Sequence, residues 1–557
     1  MLPVELKPVR DFVFSIIHHS HNDIGYSHLQ SEVEAIQNRN IRDAIHWINE
    51  YKGGGEKPVW HIESLWAVEN FLRTAGKEEE AAFVKAVKSG QLVLSANYAN
   101  ILTGLGQPEE LNWVLEYAKQ LEERYGLDIK NGMITDIPGI SRSGLLSYVN
   151  NNIPYLSLGP NYVESHPDHG DRIGGVIREQ GDRLFYWKPD LKSDKKLLVW
   201  TAGKGYSYFH GISESEKQVR WERRISDYCN ELIEKKYPYD LVQLRYTKNA
   251  DNGPVDTGLH LFVEKWNQTY HYPQLKISSV DELFASIEKK YSKQIPVYTG
   301  EISPYWEDGA YSTAEEEMLN RELAIKTIAL EKYATRTGKN PLISKELYLL
   351  HKNIVLFHEH TWGAWCSFSD PDVFFTTEQW RIKKQFVDSA QYYYDLLAAR
   401  INYEYAATKS TSSLLPVIDF TVDPVSGAIS QLLVNKQNQA ATDKKYKLFE
   451  PVYLLGVNPS LEYRPESVRI TEKENTQSQK IMEVTGTLKG CKGFAILYTL
   501  NKINGAFNAR FRFDKTKERE KESLHIAFPF AIDNPQLVYG NAQQPLRYPQ
   551  DQLAGSN

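Results

Sequence analysis

The sequence is poor in cysteine, in long apolar segments and in excess charge of either sign. Its three cysteines, Cys229, Cys366 and Cys491, form neither a paired disulfide framework nor a Cys-x-x-Cys zinc knuckle. No apolar run approaches the roughly 18 residues that a membrane helix needs. Lys and Arg total 65 against 71 Asp and Glu, without a basic block, which argues against nucleic acid as a partner. We therefore expect a soluble protein whose stability comes from its apolar core.

The cellular compartment stays open at this point. The start of the chain, MLPVELKPVRD, lacks the basic and apolar regions of a signal peptide. Cytoplasmic localisation is therefore compatible with the sequence, as is a periplasmic or secreted location if an export signal has been removed. Homo-oligomerisation is equally compatible with it.

The 557 residues have the length of more than one domain. Short apolar runs alternate with amphipathic segments over 1–297, which predicts a parallel α/β domain that carries the catalytic residues. Three helical patterns follow in 298–405, and alternating β patterns with turn signals fill 406–557. The polar stretch ATKSTSSLLP, at 407–416, reads as a linker. The chain stops without an evident terminal element, so we expect the β region to be incomplete.

The stretch HHSHNDIGYSH, residues 18–28, directly follows an apolar run typical of a buried parallel strand. In an extended backbone His19, His21 and Asp23 share one face, which is a chelating layout. The carboxyl ends of parallel strands are also where α/β enzymes carry their chemistry. A structural alternative stays open, in which Asp23 caps the next helix and the histidines bind backbone groups.

Three distant segments supply further candidates. Asp136 follows a strand pattern and precedes a Pro-Gly turn, although it could instead cap a helix. Asp251 follows the strand pattern YDLVQLRY but lies in an Asp-Asn-Gly sequence that is foremost a turn. His358 continues the apolar helix stripe through Ile354, whereas His360 lies off that stripe if the helix continues. We therefore expect His358, rather than His360, to point inward.

The motifs together resemble glycoside hydrolase family 38, the retaining α-mannosidases. They occur in the family's order: His21-Asn22-Asp23-x-Gly25-aromatic, Asp136 after a strand, Tyr305-Trp306-x-x-Gly309, and His358 followed by an acid. The resemblance implies a multidomain fold with an N-terminal α/β domain that is β/α barrel-like, a three-helix bundle and a C-terminal antiparallel β-sandwich region.

The resemblance also implies roles for individual residues. One divalent metal ion, zinc in most members and with calcium or cobalt as alternatives, would bind His21, Asp23, Asp136 and His358. Asp136 would be the nucleophile and Asp251 the acid/base of a double displacement on an oligosaccharide or glycan. Trp306 falls where the family has a tryptophan beneath the sugar. Further candidates for substrate binding are Tyr26, Tyr206, Tyr208 and Glu359, and each of the aromatic side chains could equally be ordinary packing.

Two other functions are compatible with parts of this pattern. His19-x-His21 at the end of a first strand is also how metal-dependent amidohydrolases and deacetylases begin a metal site, with water as the nucleophile. That hypothesis leaves Asp23 and Trp306 without a role. A non-catalytic carbohydrate-binding relative would keep the fold and the aromatic side chains without the reaction.

Overall fold

The computed structural model describes residues 10–161, 181–302, 307–406, 417–442, 444–457, 460–541 and 544–551. The chain divides into two compact units, one formed by Met1–Tyr405 with Leu537–Asn557 and the other by Ala406–Gln536. The segments predicted as α/β and helical domains both lie in the first unit. The predicted domain bounds at residues 297 and 405 stay predictions. The predicted linker at 407–416, as well as Tyr305 and Trp306, lies outside the described residues.

The described strands of the first unit form two five-stranded sheets and a hairpin. Their bounds are β1 Val13–Ser20, β2 Trp60–Ile62, β3 Leu92–Leu94, β4 Asn131–Asp136, β5 Tyr155–Pro160, β6 Arg183–Trp187, β7 Leu197–Thr201, β8 Leu241–Tyr246, β9 Gln274–Ile277 and β10 Val297–Tyr298. The first sheet is parallel, in the order β3-β2-β1-β8 with β9 also paired to β1. The second has the order β10-β6-β7-β5-β4, and its β6–β7 pair alone is antiparallel.

Twelve α-helices lie in the described part of the first unit. Their bounds are α1 Gln30–Glu50, α2 Leu65–Thr74, α3 Lys77–Lys88, α4 Pro108–Trp113, α5 Glu116–Tyr125, α6 Arg142–Asn150, α7 Lys217–Glu234, α8 Leu259–Thr269, α9 Val280–Tyr291, α10 Ala314–Arg336, α11 Ser344–Phe357 and α12 Phe374–Ile401. Short 3-10 turns occur at Glu214–Glu216, Glu307–Thr313 and Asn340–Leu342. None of the described helices combines the length and the apolar character needed to cross a membrane.

Strand β1 is the centre of the first sheet, and this explains its sequence. It pairs with β8 over Val13–His18, with β9 over Val13–Ile16 and with β2 at its end, where His19 aligns with His61. A strand enclosed on both faces must be apolar, as Phe14, Ile16 and Ile17 are. Because β1, β2, β3 and β8 are parallel, the residues that follow them converge on one edge of the sheet.

Helices α10, α11 and α12 share an apolar core. Leu323, Leu330, Leu350, Ile354 and Leu397 are almost completely buried in it. These residues recur at the three- and four-residue spacing from which the helices were predicted. The three helices lie at the predicted positions, whereas their closure into a bundle, like the barrel-like closure of the α/β sheets, stays a prediction.

The second unit is antiparallel β structure, as its alternating sequence predicts. Its described strands are β11 Val417–Val422, β12 Ile429–Val434, β13 Gln437–Asn438, β14 Pro451–Leu455, β15 Leu461–Tyr463, β16 Glu466–Asn475, β17 Gln479–Leu488, β18 Cys491–Asn501, β19 Ala506–Lys515 and β20 Glu522–Ile526. They form the sheets β11-β12-β13, β15-β14-β20 and β16-β17-β18-β19. The predicted packing of these sheets into a sandwich stays a prediction.

The last described strands belong to the first unit. Strands β21 Leu537–Asn541 and β22 Gln544–Tyr548 form a hairpin. After it, the Asp551 carbonyl accepts a hydrogen bond of 2.8 Å from the Glu301 N–H. The sequence pattern does not predict this return to the first unit, because it indicates a single β region over 406–557.

Candidate metal centre and active site

Four ligand-type side chains from three separate segments meet at the carboxyl edge of the strands. His21 and Asp23 follow β1, Asp136 ends β4, and His360 lies three residues beyond α11. One ligand atom from each lies within 4.8 Å of the others. We call these four residues the quartet. His21, Asp23 and His360 are buried, and the Asp136 side chain is 13% exposed, so the group opens toward solvent on the Asp136 side.

The spacing of the quartet suits a small divalent ion. The His21 Nε2 to Asp23 Oδ1 distance is 3.1 Å, and His360 Nε2 lies 3.3 Å from both Asp23 Oδ1 and Asp136 Oδ2. His21 Nε2 lies 4.0 Å from Asp136 Oδ2. Ligands at about 2.0–2.2 Å from a tetrahedral ion are roughly 3.3–3.6 Å apart. Two imidazoles and two carboxylates without a thiolate are compatible with zinc, cobalt, manganese or calcium.

The far nitrogen of His21 is held by Glu63, which follows β2. His21 Nδ1 lies 2.8 Å from Glu63 Oε1, and the same oxygen accepts a 2.6 Å hydrogen bond from Asn100 Nδ2. A proton on Nδ1 leaves the Nε2 lone pair directed toward the quartet, as metal-binding histidines require. Glu63 is fully buried, yet His21 and His19 keep its pKa well below the ordinary value.

The far nitrogen of His360 is held in the same way by Glu359. His360 Nδ1 lies 2.9 Å from Glu359 Oε1, and the other oxygen accepts hydrogen bonds from Thr361 and from Lys383 at 3.5 Å. Glu359 is 1% exposed. The expected contact between Glu359 and substrate is therefore not supported, because this carboxylate lies behind a ligand histidine instead of in front of it.

His358 was the wrong choice of histidine. Its Nδ1 lies 2.5 Å from Glu110 and its Nε2 2.9 Å from Glu317, so both ring nitrogens are occupied away from the quartet. Burial alone would lower the pKa of His358, but these two carboxylates raise it to about 10. The helical stripe led to the error, because α11 ends at Phe357 and the chain turns before His360, whose N–H donates to the Asn100 carbonyl.

The charges around the quartet also suit a divalent ion. The quartet carboxylates together with Glu63 and Glu359 amount to four negative charges. Two cations contact this group: Arg245 lies 4.0 Å from Glu63, and Lys383 lies 3.5 Å from Glu359. With neutral imidazoles, two negative charges remain in a buried place, where unpaired charge is costly. One divalent ion would neutralise them.

Asp136 has an unusual backbone conformation. Its φ is +72°, in the left-handed region that residues other than glycine rarely adopt. Its carbonyl accepts a 2.7 Å hydrogen bond from the Asn161 N–H, and Oδ1 is buried without a hydrogen-bond partner among the described residues. Such strain persists where the surrounding structure enforces it, and it is frequent at active sites. The conformation places the carboxylate at the quartet just where β4 ends.

Asp251 lies in the loop after β8, and its surroundings favour the protonated form of its carboxyl group. Burial, reinforced by the carboxylates of Asp23 and Asp136, raises the pKa of Asp251 to about 7, and the nearby His21 and a hydrogen bond from the Tyr206 hydroxyl oppose the rise. Tyr206 also contacts His21 edge to face, with ring centroids 4.8 Å apart. This tyrosine therefore connects the quartet with a carboxyl group that can donate a proton near neutral pH.

Asp256, the next acid after Asp251 along the chain, has a different role. Its Oδ2 accepts a 2.5 Å hydrogen bond from Lys217 Nζ and a 2.7 Å hydrogen bond from the Tyr246 hydroxyl. Although burial alone would raise it, Lys217 and His18 lower the pKa of Asp256 to about 2. A carboxylate that stays ionised above this pH cannot supply a proton to a leaving group.

His19 does not join the quartet either. Its Nδ1 lies 3.0 Å from Glu63 Oε2, and its Nε2 accepts a 3.3 Å hydrogen bond from Arg245 Nε. Burial, followed by the positive charge of Arg245, lowers the pKa of His19 to about 3. His19 is therefore neutral and connects the buried Glu63 carboxylate with the buried Arg245 guanidinium.

Among the other predicted substrate side chains, Tyr26 lies at the rim of the site and Tyr208 lies further away. Tyr26 is 40% exposed, and its N–H donates a 2.9 Å hydrogen bond to Gln379 Oε1. Tyr208 packs against Tyr228, and none of its described contacts involves the quartet. Their role in substrate binding stays a prediction.

Several supporting residues escaped sequence analysis. Glu63 follows the three-residue strand β2, which is too short to produce a periodic signal. Arg245 is hidden inside an apolar strand pattern, and it donates to Thr135 and, at 2.7 Å, to Ser157 Oγ. The sequence nevertheless held one signal for Glu63. Like Asp136, it is an acid at the carboxyl end of a strand in a sheet with parallel pairing.

The solved structures to which this chain is similar include two from Enterococcus faecalis. An α-mannosidase from Enterococcus faecalis V583 has a TM-score of 0.69 at 12% sequence identity, over 98% of this chain and 78% of that chain. A protein in the glycosyl hydrolase family 38 from Enterococcus faecalis has a TM-score of 0.60 at 11% identity, over 98% and 77%. No protein-family model and no curated protein matches the sequence. The predicted resemblance to this family is thus confirmed at the level of the fold.

Substitution of either histidine tests the choice between them. We expect His360→Ala to lose its divalent metal, because a missing ligand should cost more than the roughly 10- to 100-fold in affinity that loss of an outer-shell partner costs. His358→Gln is the matched control and should keep the metal, although it removes a buried ion pair and lowers stability. Elemental analysis after gel filtration measures both. A metal-free His358→Gln protein beside a fully loaded His360→Ala protein would contradict this assignment.

Proposed function

We propose that this protein is a metal-dependent retaining glycoside hydrolase that cleaves α-mannosidic bonds. The observation that carries the proposal is the quartet at the strand ends with Asp251 beside it. One carboxylate at the centre and a second carboxyl group with a raised pKa are the two acids that such a reaction needs. The shared fold with a solved α-mannosidase supports the choice of sugar.

The residues divide the work as follows. Asp136 attacks the anomeric carbon and forms the glycosyl-enzyme, while Asp251 donates its proton to the departing oxygen. Asp251 then accepts a proton from the water that releases the sugar. Tyr206 holds the Asp251 carboxyl group by its hydrogen bond. Glu63 and Glu359 fix the rings of His21 and His360.

His21, Asp23, Asp136 and His360 would hold the metal ion. When bound, the ion would orient the ring by binding vicinal hydroxyls such as those on carbons 2 and 3 of mannose. Zinc is the first choice for this set of ligands, with calcium and cobalt as alternatives. Glycans that end in α-mannose are the proposed substrates.

The two alternatives receive less support. An amidohydrolase would use His19 and His21 as a ligand pair, but both ring nitrogens of His19 are occupied by Glu63 and Arg245. A non-catalytic carbohydrate-binding relative would not need a carboxyl group with a pKa near 7 beside a second carboxylate. Turnover of an α-mannoside separates this last hypothesis from the proposal.

A trapped intermediate tests the nucleophile. A fluorinated mannosyl fluoride should leave a covalent sugar on Asp136, because fluorine slows the breakdown of the glycosyl-enzyme more than its formation. Mass spectrometry should find the adduct in the tryptic peptide 131–142, NGMITDIPGISR, of the wild-type protein and not of Asp136→Asn. The first anomer released from substrate should be α. Initial release of β-mannose would sink the retaining mechanism.

The pH profile tests the acid. Because the protonated form of Asp251 is active and its pKa is about 7, kcat/KM for alkyl α-mannosides should fall about tenfold per pH unit above that value. Asp251→Asn should remove this limb and slow alkyl mannosides by roughly 10²–10⁴-fold. Activated aryl mannosides are the internal control, since their leaving groups need no proton. Equal losses for both substrate classes would show that Asp251 is not the acid.

A further inference from the structure

Large exposed aromatic side chains occur in the two segments that lead away from His21–Asp23 and from His360. Trp365 is 65% exposed, Phe368 80% and Phe374 71%, and Tyr26 is 40% exposed. We call these four residues the aromatic patch. Single exposed apolar residues are common, but several large aromatic rings exposed in one short segment mark a binding surface.

The patch is continuous with the proposed active site. Tyr26 lies three residues after Asp23, and Trp365 five residues after His360. The two segments are joined by a bridge between Tyr26 and Ala364 and by a 3.3 Å hydrogen bond from the Trp365 N–H to the Tyr26 carbonyl. Both segments therefore lead from the quartet to exposed aromatic rings.

The segment that carries the rings is held in place by internal hydrogen bonds. Thr376 Oγ1 donates to the Asp370 carbonyl at 2.9 Å, and the Asp370 N–H donates to the Cys366 carbonyl at 2.7 Å. Gly363 has a φ of +72°, and a Cβ there would come within 2.6 Å of the Trp380 ring. A surface ordered before binding loses little entropy when a ligand arrives.

We infer that the aromatic patch is a subsite for a sugar unit that adjoins the mannose held at the quartet. This inference rests on the proposed function and assigns side chains to the second sugar unit of its glycan substrates. A pyranose ring presents C–H groups on one face, which pack on an aromatic ring while the hydroxyls stay in water. Continuity with the quartet favours a sugar over a second copy of the chain as the occupant.

Oligosaccharide binding tests the subsite. In an Asp251→Asn background, which slows turnover and keeps the quartet, titration calorimetry compares an α-linked mannotetraose with mannose. We expect Trp365→Ala to raise the Kd of the tetraose about tenfold, equivalent to about 1.4 kcal/mol. Mannose affinity should change little, and Trp365→Phe, which keeps an aromatic face, should recover most of the loss.

The matched control is Tyr392→Ala, which removes a ring that is 63% exposed on the same helix as Phe374. It lies 18 residues further along, about 27 Å away, and should leave tetraose binding unchanged. Tetraose affinity independent of Trp365, or a change of oligomeric state in Trp365→Ala without a change of affinity, would overturn the subsite. Trp365-dependent binding without hydrolysis by the wild type would refute the proposed function alone. Hydrolysis with Trp365-independent binding would refute the subsite alone.

Discussion

The burial of two carboxylates against two imidazoles is the interaction on which the rest of the site depends. Asp23 and Asp136 approach His360 Nε2 at 3.3 Å, in a place that is largely shielded from water. Ionised groups are costly there unless they are paired. Glu63 and Glu359 contact the far nitrogens of the two histidines. Arg245 and Lys383 in turn balance the negative charges of these two acids. With neutral imidazoles two negative charges remain, and one divalent ion would neutralise them.

Much of the fold could be predicted because it follows from local periodicity. Strands β1, β4 and β8 and helices α11 and α12 lie where apolar spacing predicts them. Strands of two to four residues, such as β2 and β9, are too short to show a period. The division of strands between two sheets depends on pairing across the chain, which local patterns do not encode.

The members of the quartet at strand ends could be predicted from the sequence, whereas the member beyond a helix end could not. His21, Asp23 and Asp136 occur directly at the carboxyl ends of strands, so the sequence reveals their common edge. His360 lies beyond the end of α11, and the choice of His358 assumed that this helix continues, whereas it ends at Phe357. The resemblance to the family favoured the same residue, because His358 is also followed by an acid. Glu359 instead contacts the far nitrogen of His360, at 2.9 Å from Nδ1.

The central claim is that the quartet binds one divalent ion, and anomalous diffraction from crystals grown with zinc tests it most directly. The account predicts one strong peak at the zinc edge, about 2.0–2.2 Å from His21, Asp23, Asp136 and His360. A bond from His358 to the ion, or a fully occupied zinc elsewhere with these four side chains left without one, would contradict it.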